Sequence, residues 1–411
     1  MFLKKPKNIR TVYLDNAATT QMDPKVKEAM DPYFCDLYGN PSGIYKMGRI
    51  VSAGLDNARE KVAEILSTSP NNIIFTAGGT ESDNLAIFGI AEKHAPLLSS
   101  GKAHIITTKV EHKAVLQPIK QLEKDGFDVT YLDVDSEGKI DVGDLKKALR
   151  KNTILISIMY ANNEIGTIQP IAEIGKLILK WRKENNTEYP YFHTDACQAA
   201  GALSLKVESL HVDLLTFNGS KIYGPKGVGV LYRRKGVLIK PQILGGGQEF
   251  GLRGGTENVA GIVGLAKALE LVQASNDKEN KRLIELRAYF WKQLEKNIPK
   301  LHLNGPSLNN DKTRLPNNLN VTFLDIEGEA LLLYLDEYGI VCSTGSACNS
   351  ISLDPSYVIT SCGLPYEYAH GSIRFAMGKN TTKSDIDYVM AYLPNVVEVL
   401  RKMSPVNLAS E

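Results

Sequence analysis

Ile73-Ile74-Phe75-Thr76-Ala77-Gly78-Gly79-Thr80-Glu81-Ser82-Asp83 joins a short apolar run to a helical pattern through two glycines. The apolar residues read as a strand covered on both faces. Glycines ahead of a helix N-terminus let backbone N–H groups approach an anion closely, and the helix dipole adds to the attraction. The stretch therefore reads as a phosphate seat, with Thr80 and Asp83 at the spacing of a capping box. A plain strand–turn–helix junction is the alternative.

Outward from this stretch, residues 72–232 alternate apolar runs with amphipathic patterns. Strands are expected at 73–76, 104–107, 128–132, 154–159, 191–194, 213–217 and 228–232, with helices such as 114–124 and 171–184 between them. This βαβ rhythm predicts an α/β fold with a mostly parallel sheet, helices on both faces, and ligands at the carboxyl ends of the strands. A Gly-rich stretch, 245–255, closes the region. A long helical pattern follows over 257–297. Short strands (318–323, 373–376) then mix with helices (328–338, 382–402), which reads as a smaller α+β domain. The division expected is a large domain of residues 16–262 and a small one of 1–15 with 263–411.

Bulk properties exclude several functions. The 411 residues are 43% apolar and 23% charged, which suits a globular chain with a large core. The net charge of +2 carries no basic excess, so no direct nucleic-acid role and no anionic-membrane role is expected. No apolar run reaches the roughly 18 residues that a membrane span needs. Residues 1–10 are basic with no apolar core behind them, unlike a secretory signal, and the strand-like segment at Tyr13 leaves no room for a transit peptide. The five cysteines are scattered and form no CxxC, which points to a reducing compartment, the cytoplasm by default.

Candidate chemistry gathers at the expected strand ends. Asp195, in Tyr191-Phe192-His193-Thr194-Asp195-Ala196-Cys197-Gln198, closes an apolar strand. A buried carboxylate there needs a cationic partner, and a protonated pyridine nitrogen is one; a helix N-cap is the alternative. Lys221, in Asn218-Gly219-Ser220-Lys221, reaches the same edge and is a Schiff-base candidate, since burial makes an amine nucleophilic. His112 follows strand 104–107 and is placed to stack on a flat ring or move protons, or simply to start a helix. Asn162-Asn163-Glu164 adds a further polar cluster. Cys348 lies in Ser343-Thr344-Gly345-Ser346-Ala347-Cys348-Asn349-Ser350, a pliable stretch of small polar residues where a thiol is accessible. Cys342 closes an apolar run and reads as core.

Many of these segments together resemble the NifS/IscS cysteine desulfurases: Tyr13-Leu14-Asp15-Asn16-Ala17-Ala18-Thr19-Thr20, Thr80-Glu81-Ser82-Asp83-Asn84-Leu85-Ala86, Glu111-His112-Lys113-Ala114-Val115, Asn162-Asn163-Glu164-Ile165-Gly166, Lys221-Ile222-Tyr223-Gly224-Pro225-Lys226-Gly227, Ser343-Thr344-Gly345-Ser346-Ala347-Cys348 and Ser372-Ile373-Arg374-Phe375. The resemblance spans residues 13–404 in order. It implies the aspartate-aminotransferase-like fold of pyridoxal 5'-phosphate enzymes, a homodimer, and desulfuration of L-cysteine to L-alanine. Lys221 would carry the cofactor as a Schiff base and shuttle protons. Asp195 would pair with the pyridine nitrogen, Gln198 with the ring hydroxyl, and His112 would stack on the ring. Gly79, Thr80, Asn218 and Ser220 would hold the phosphate, joined by Thr256 from a second subunit. Arg374 and Asn163 would take the substrate carboxylate. Cys348 would receive the sulfur as a persulfide and pass it to an iron–sulfur scaffold protein or a sulfur carrier protein, for cluster assembly or tRNA thiolation. No metal site is expected beyond transient iron–sulfur ligation by Cys348.

The chain departs from that family in places. The usual Ser-Gly-His-Lys reads Asn218-Gly219-Ser220-Lys221, which alters two phosphate contacts and removes a histidine, although Asn and Ser still donate hydrogen bonds. Cys197 stands where threonine or valine is common. The seven residues after Ser404 make a shorter tail than in housekeeping members, so acceptor docking on the Cys348 side is expected. A selenocysteine lyase or another class-V aminotransferase-fold enzyme is the alternative.

Overall fold

The computed structural model describes residues 9–97, 102–344 and 355–404. Twelve strands are present among them: β1 (Val12–Tyr13), β2 (Ile73–Thr76), β3 (His104–Thr108), β4 (Asp128–Leu132), β5 (Thr153–Ser157), β6 (Tyr191–Asp195), β7 (Leu214–Asn218), β8 (Gly229–Arg233), β9 (Leu301–Leu303), β10 (Asn318–Phe323), β11 (Ile340–Val341) and β12 (Ser372–Ala376). Each expected strand has its counterpart here, shifted by a few residues at most.

Seven strands form the main sheet in the order β2-β8-β7-β6-β5-β3-β4. All neighbours from β7 through β4 run parallel, whereas β8 is antiparallel to both β2 and β7. Six strands therefore point the same way, and their carboxyl ends share one edge. β8 starts at that edge, where Gly229 pairs with both Thr76 and Asn218. A Cβ at residue 229 would come within 2.5 Å of the Gly78 carbonyl carbon, so only glycine fits there.

Both faces of the sheet's centre are covered, which is why its inner strands are mostly apolar, whereas the edge strand β4 is only half-buried. One face packs Phe75, Phe192 and Phe217 against helices Lys46–Leu66, Ile171–Asn185 and the start of Val259–Asn297. The other packs Ile74, Ile105 and Leu214 against helices Gly79–His94 and Lys113–Lys124.

A separate core gathers around the three-stranded sheet β12-β10-β9 and the two-stranded parallel pair β1-β11. It includes Val12, Leu14, Phe290, Phe323, Phe375 and Val396. The 39-residue helix Val259–Asn297 belongs to both cores: Ile262, Leu265 and Leu269 enter the first, and Leu283, Phe290 and Leu294 the second. β1 also leads into Asp15, which bridges to Ala376 at the end of β12.

The capping box expected at Thr80–Asp83 is not formed. Helix Gly79–His94 starts one residue before Thr80, its N-cap is Gly78, and no side chain caps it. Asp83 is instead fully buried under the sheet edge. Its sequence spacing matched a cap, but the helix begins earlier because the glycines admit close contact with neighbouring strands. No described helix is long and apolar enough to cross a membrane.

Candidate active site

A cavity of about 550 Å³ opens at the carboxyl edge. The end of β2 brings the N-terminus of helix Gly79–His94 to its wall, at the point where the sequence predicts an anion seat, and no side chain caps that N-terminus. A Cβ on Gly79 would meet Cys197 Sγ at 2.7 Å and Asn218 Nδ2 at 3.0 Å, so the close approach requires glycine. Thr80 and Asn218 line the same wall.

β6 delivers Asp195 and β7 delivers Asn218 as their last residues; Lys221 follows in the turn Gly219–Lys221. Asp195 is buried, and its Oδ1 accepts from the Cys197 backbone N–H at 2.8 Å. This is the Asx-type bond of the cap alternative, made while Asp195 still lines the cavity. Lys221 is half-buried and donates to the Ala18 carbonyl. Burial pushes its pKa down, aided by Arg374 and opposed by Cys197, Asp195 and Asp15. Gln198 lines the wall with its amide nitrogen on the Ala17 carbonyl at 2.9 Å. His112 caps helix Lys113–Lys124, its Nδ1 accepting from Ala114 N–H at 3.1 Å, and lines the cavity opposite these groups.

Arg374, on β12, is the buried cation of the far wall. Its Nη1 donates to the Asn163 carbonyl at 2.9 Å and its Nη2 to Asp15 Oδ1 at 2.6 Å; its buried Nε has no hydrogen-bond partner. Asn163 lines the cavity beside it. The backbone of Arg374 also pairs with Ser343, which places Ser343 beside this wall.

Beneath the floor lies a set of buried acids and a histidine. Asp83 lines the cavity with Oδ1 3.5 Å from His193 Nε2 and no hydrogen bond to that oxygen. Burial first, then Asp195, hold its pKa well above the ordinary range. Burial lowers the His193 pKa to about 4, so the imidazole is neutral; it bonds Ser157 and Thr216. Burial raises Glu111, next to His112, to about 8. Asp83 has the spacing of a cap in the sequence; of the others, Asp15 carries a sequence signal as an acid just past strand β1, whereas His193 lies inside β6 and Glu111 stands beyond the end of β3.

Other expected residues fall elsewhere. Ser220 is not on the cavity wall; its hydroxyl donates to Asn218 Oδ1 at 3.2 Å. Thr256 is exposed and lies outside this chain's cavity wall, at the end of the Gly-rich stretch. That stretch is tied to the anion seat by Arg253, which bonds Glu81 at 2.9 Å. Cys348 lies outside the described residues, as do Gly345, Ser346, Ala347 and Asp354. Cys342 is buried as expected. Among the described residues no group of three or more His, Cys, Asp or Glu is placed to hold a metal ion.

A sheet edge that offers an uncapped helix N-terminus, a buried carboxylate and a lysine of lowered pKa has the layout of an aminotransferase-type site. Residues 12–389 match the family model "Aminotransferase class-V", and the chain belongs to that family. Within it, the chain is a cysteine desulfurase of the NifS/IscS type. It is 53% identical to "Cysteine desulfurase IscS" of Dictyoglomus turgidum over 396 residues, covering 96% of this chain and 97% of that protein. A solved "NIFS-LIKE PROTEIN" superposes with a TM-score of 0.86 at 38% identity, over 95% of this chain and all of the other. A second, "SspA in complex with cysteine", gives 0.76 at 37% identity over 89% of this chain and 99% of that one.

Proposed function

We propose that the cavity holds pyridoxal 5'-phosphate and that Cys348 takes the sulfur of L-cysteine. The observation that carries this reading is that Lys221, Asp195 and an uncapped helix N-terminus all face one cavity. The residues fit the group: the helix N-terminus and Asn218 suit its phosphate, the buried Asp195 suits a ring cation, and the His112 imidazole suits a flat ring. When bound, the cofactor supplies an electron sink for negative charge at the substrate Cα.

The chain's own residues do the rest. Lys221 would hold the cofactor covalently and, once displaced by the substrate, would take the proton from the substrate Cα, its lowered pKa favouring the neutral amine. Asp195 would keep the pyridine nitrogen protonated, and Gln198 would orient the ring hydroxyl. Gly79, Thr80 and Asn218 would hold the phosphate, with Ser220 behind Asn218 and the partner subunit's Thr256 joining them. Arg374 and Asn163 bind the substrate carboxylate. The Cys348 thiolate attacks the substrate sulfur: an S–S bond forms, the Cβ–S bond breaks, and its electron pair stays on carbon, which takes a proton to give L-alanine. Support for Cys348 comes from the ends of its segment, since Ser343 pairs with Arg374 and Ser356 bonds Glu164, which follows the wall residue Asn163.

The same reading covers the wider setting. A homodimer is supported by exposed apolar side chains at Phe34, Tyr38, Ile44, Leu244 and Phe250. Two separate cores support a large domain of 16–262 and a small one of 1–15 with 263–411. Scattered free cysteines support the cytoplasm. The persulfide acceptor is an iron–sulfur scaffold or a sulfur carrier protein.

The test is direct. With L-cysteine and a thiol reductant, purified protein should form alanine and sulfide in equal amounts, and borohydride should fix the cofactor to the Lys221 peptide. Label on another lysine, or no alanine, overturns the assignment.

A further inference from the structure

Glu164 is an acid of the turn after β5 whose side chain bonds Ser356, outside the main sheet. It is buried and does not line the cavity itself. The turn that carries it is rigidly held: Asn162 Oδ1 accepts from the Glu164 and Ile165 N–H groups at 2.8 and 3.0 Å. Its carbonyl accepts from Asn318 Nδ2 at 2.9 Å and Asn320 Nδ2 at 3.1 Å, both on β10. Its carboxylate Oε2 accepts from Ser356 Oγ.

Two neighbours make this turn matter. Asn163, one residue earlier, provides the carbonyl that holds Arg374 Nη1. Tyr357, one residue after Ser356, donates to the Glu111 carbonyl at 2.6 Å, directly before His112. The Ser356–Tyr357 segment is thus fastened at one side to the turn that aims Arg374 and at the other to the turn that presents His112. Burial alone would expel a carboxylate charge from this place. The Ser356 hydroxyl first, then Arg374, His112 and Lys113, offset that in part, and the pKa stays raised, at about 7.

We infer that Glu164 is a positioning residue: through its bond to Ser356 it fixes the 162–164 turn, and so sets where Arg374 meets the substrate carboxylate. The inference rests on the cavity being the L-cysteine site. A group that acts on substrate placement changes ground-state and transition-state binding together, which appears in KM before kcat.

The experiment measures steady-state kinetics with L-cysteine in the holoenzyme, with melting temperatures as a fold check. Glu164→Ala should raise KM about tenfold, the effect of one lost charge-assisted hydrogen bond, with kcat within about twofold. Ser356→Ala, a milder change, should do the same, and the double variant should be no worse than either single one, because both remove one interaction. Glu164→Gln, which keeps an acceptor for Ser356, should restore most of the loss. Unchanged KM in Ser356→Ala, strictly additive effects, or a fall in kcat alone overturns the proposal. Arg374→Ala separates the two levels. If it raises KM while Glu164→Ala and Ser356→Ala do not, only the positioning role fails; if it leaves KM unchanged, the substrate-site reading fails with it.

Discussion

Gly79 and Cys197 approach so closely across the cavity floor that a methyl group on residue 79 would lie 2.7 Å from the Cys197 sulfur. Such a distance forces a shift of either the helix N-terminus or the sulfur. Gly79→Ala should therefore weaken cofactor retention by about tenfold or more, the loss of at least one charge-assisted contact. Visible absorbance after timed dialysis reads this out. Adding Cys197→Ala to Gly79→Ala should recover part of the loss by vacating the space. No recovery would mean that Asn218, at 3.0 Å from the same methyl, sets the limit.

Glu111 governs a pH-dependent part of the stability. Its pKa of about 8 in the folded chain stands above its ordinary 4.5, because it is buried with Oε2 unpartnered. A group raised on folding keeps its proton in the native state while the unfolded chain releases it. Between 4.5 and about 8 the unfolded chain binds fewer protons, so stability falls as pH rises; above about 8 both states are ionised and the slope ends. Glu111→Gln imitates the neutral acid, and Oε1 can still accept from Thr108 and the Met159 N–H. Its melting temperature should gain on the parent up to about pH 8 and then run parallel. A constant gap across that range would show that Glu111 is ionised in the native protein.

The same contrast explains what was legible in the sequence. Ile73–Thr76, Asp128–Leu132 and Asn318–Phe323 have the bounds expected from pattern alone: the first because a strand covered on both faces is apolar until the turn begins, the other two because β-branched and apolar residues alternate with polar ones along them. Asp195, Lys221 and His112 were legible for the converse reason: polar groups at the end of such strands have no core to join. The antiparallel insertion of β8 between β2 and β7 was not, since strand order depends on contacts far apart in the chain. Nor was the pairing of Arg374 with Asp15, 359 residues away, which follows from the two-residue strand β1 being caught beside β11. Asp83 misled because its spacing from Thr80 satisfied a local rule while its burial was a tertiary fact.

Glu249 supports the Gly-rich stretch that ends near Thr256. It forms a buried bidentate pair with Arg59 at 2.6 and 2.8 Å and accepts from the Phe75 N–H at 2.8 Å. It does so from a left-handed backbone, φ 46°, followed by Phe250 at φ 61°. Glu249→Ala leaves the buried Arg59 without its counter-charge, with only the Ile73 carbonyl and two aromatic rings beside it, and the Phe75 N–H without its acceptor. The expected loss is ~3–5 kcal/mol in denaturant unfolding, since breaking one side of a buried pair exposes the full desolvation penalty. A loss below about 1 kcal/mol would show that water reaches Arg59.

Cys348→Ser should keep the colour of the bound cofactor and still bind L-cysteine, because the thiol acts after the amino acid is seated. Sulfide release should drop to near background. Cys197→Ser should retain release, because burial together with Asp195 and Asp83 holds that thiol protonated and unreactive. Full activity of Cys348→Ser with loss in Cys197→Ser would move the sulfur-accepting role to Cys197.

Ser220 meets Asn218 rather than the cavity, so its effect on cofactor binding should pass through Asn218. Its hydroxyl donates to Asn218 Oδ1 at 3.2 Å, which fixes the amide so that Nδ2 lies toward Gly79. An amide has distinct ends, and only the nitrogen end attracts an anion. Removing the hydroxyl in Ser220→Ala lets the amide turn over, so cofactor loss on dialysis should quicken by a few-fold, the scale of one neutral hydrogen bond of about 1 kcal/mol. Asn218→Ala should be slower to bind and faster to lose cofactor by a larger factor, and adding Ser220→Ala to it should change nothing further, because the serine has no second route to the site. Ser220→His places an imidazole N–H where the family usually has one and should slow cofactor loss if its ring reaches the seat. A Ser220→Ala effect that persists at full size in the Asn218→Ala background would show that Ser220 contacts the cofactor directly.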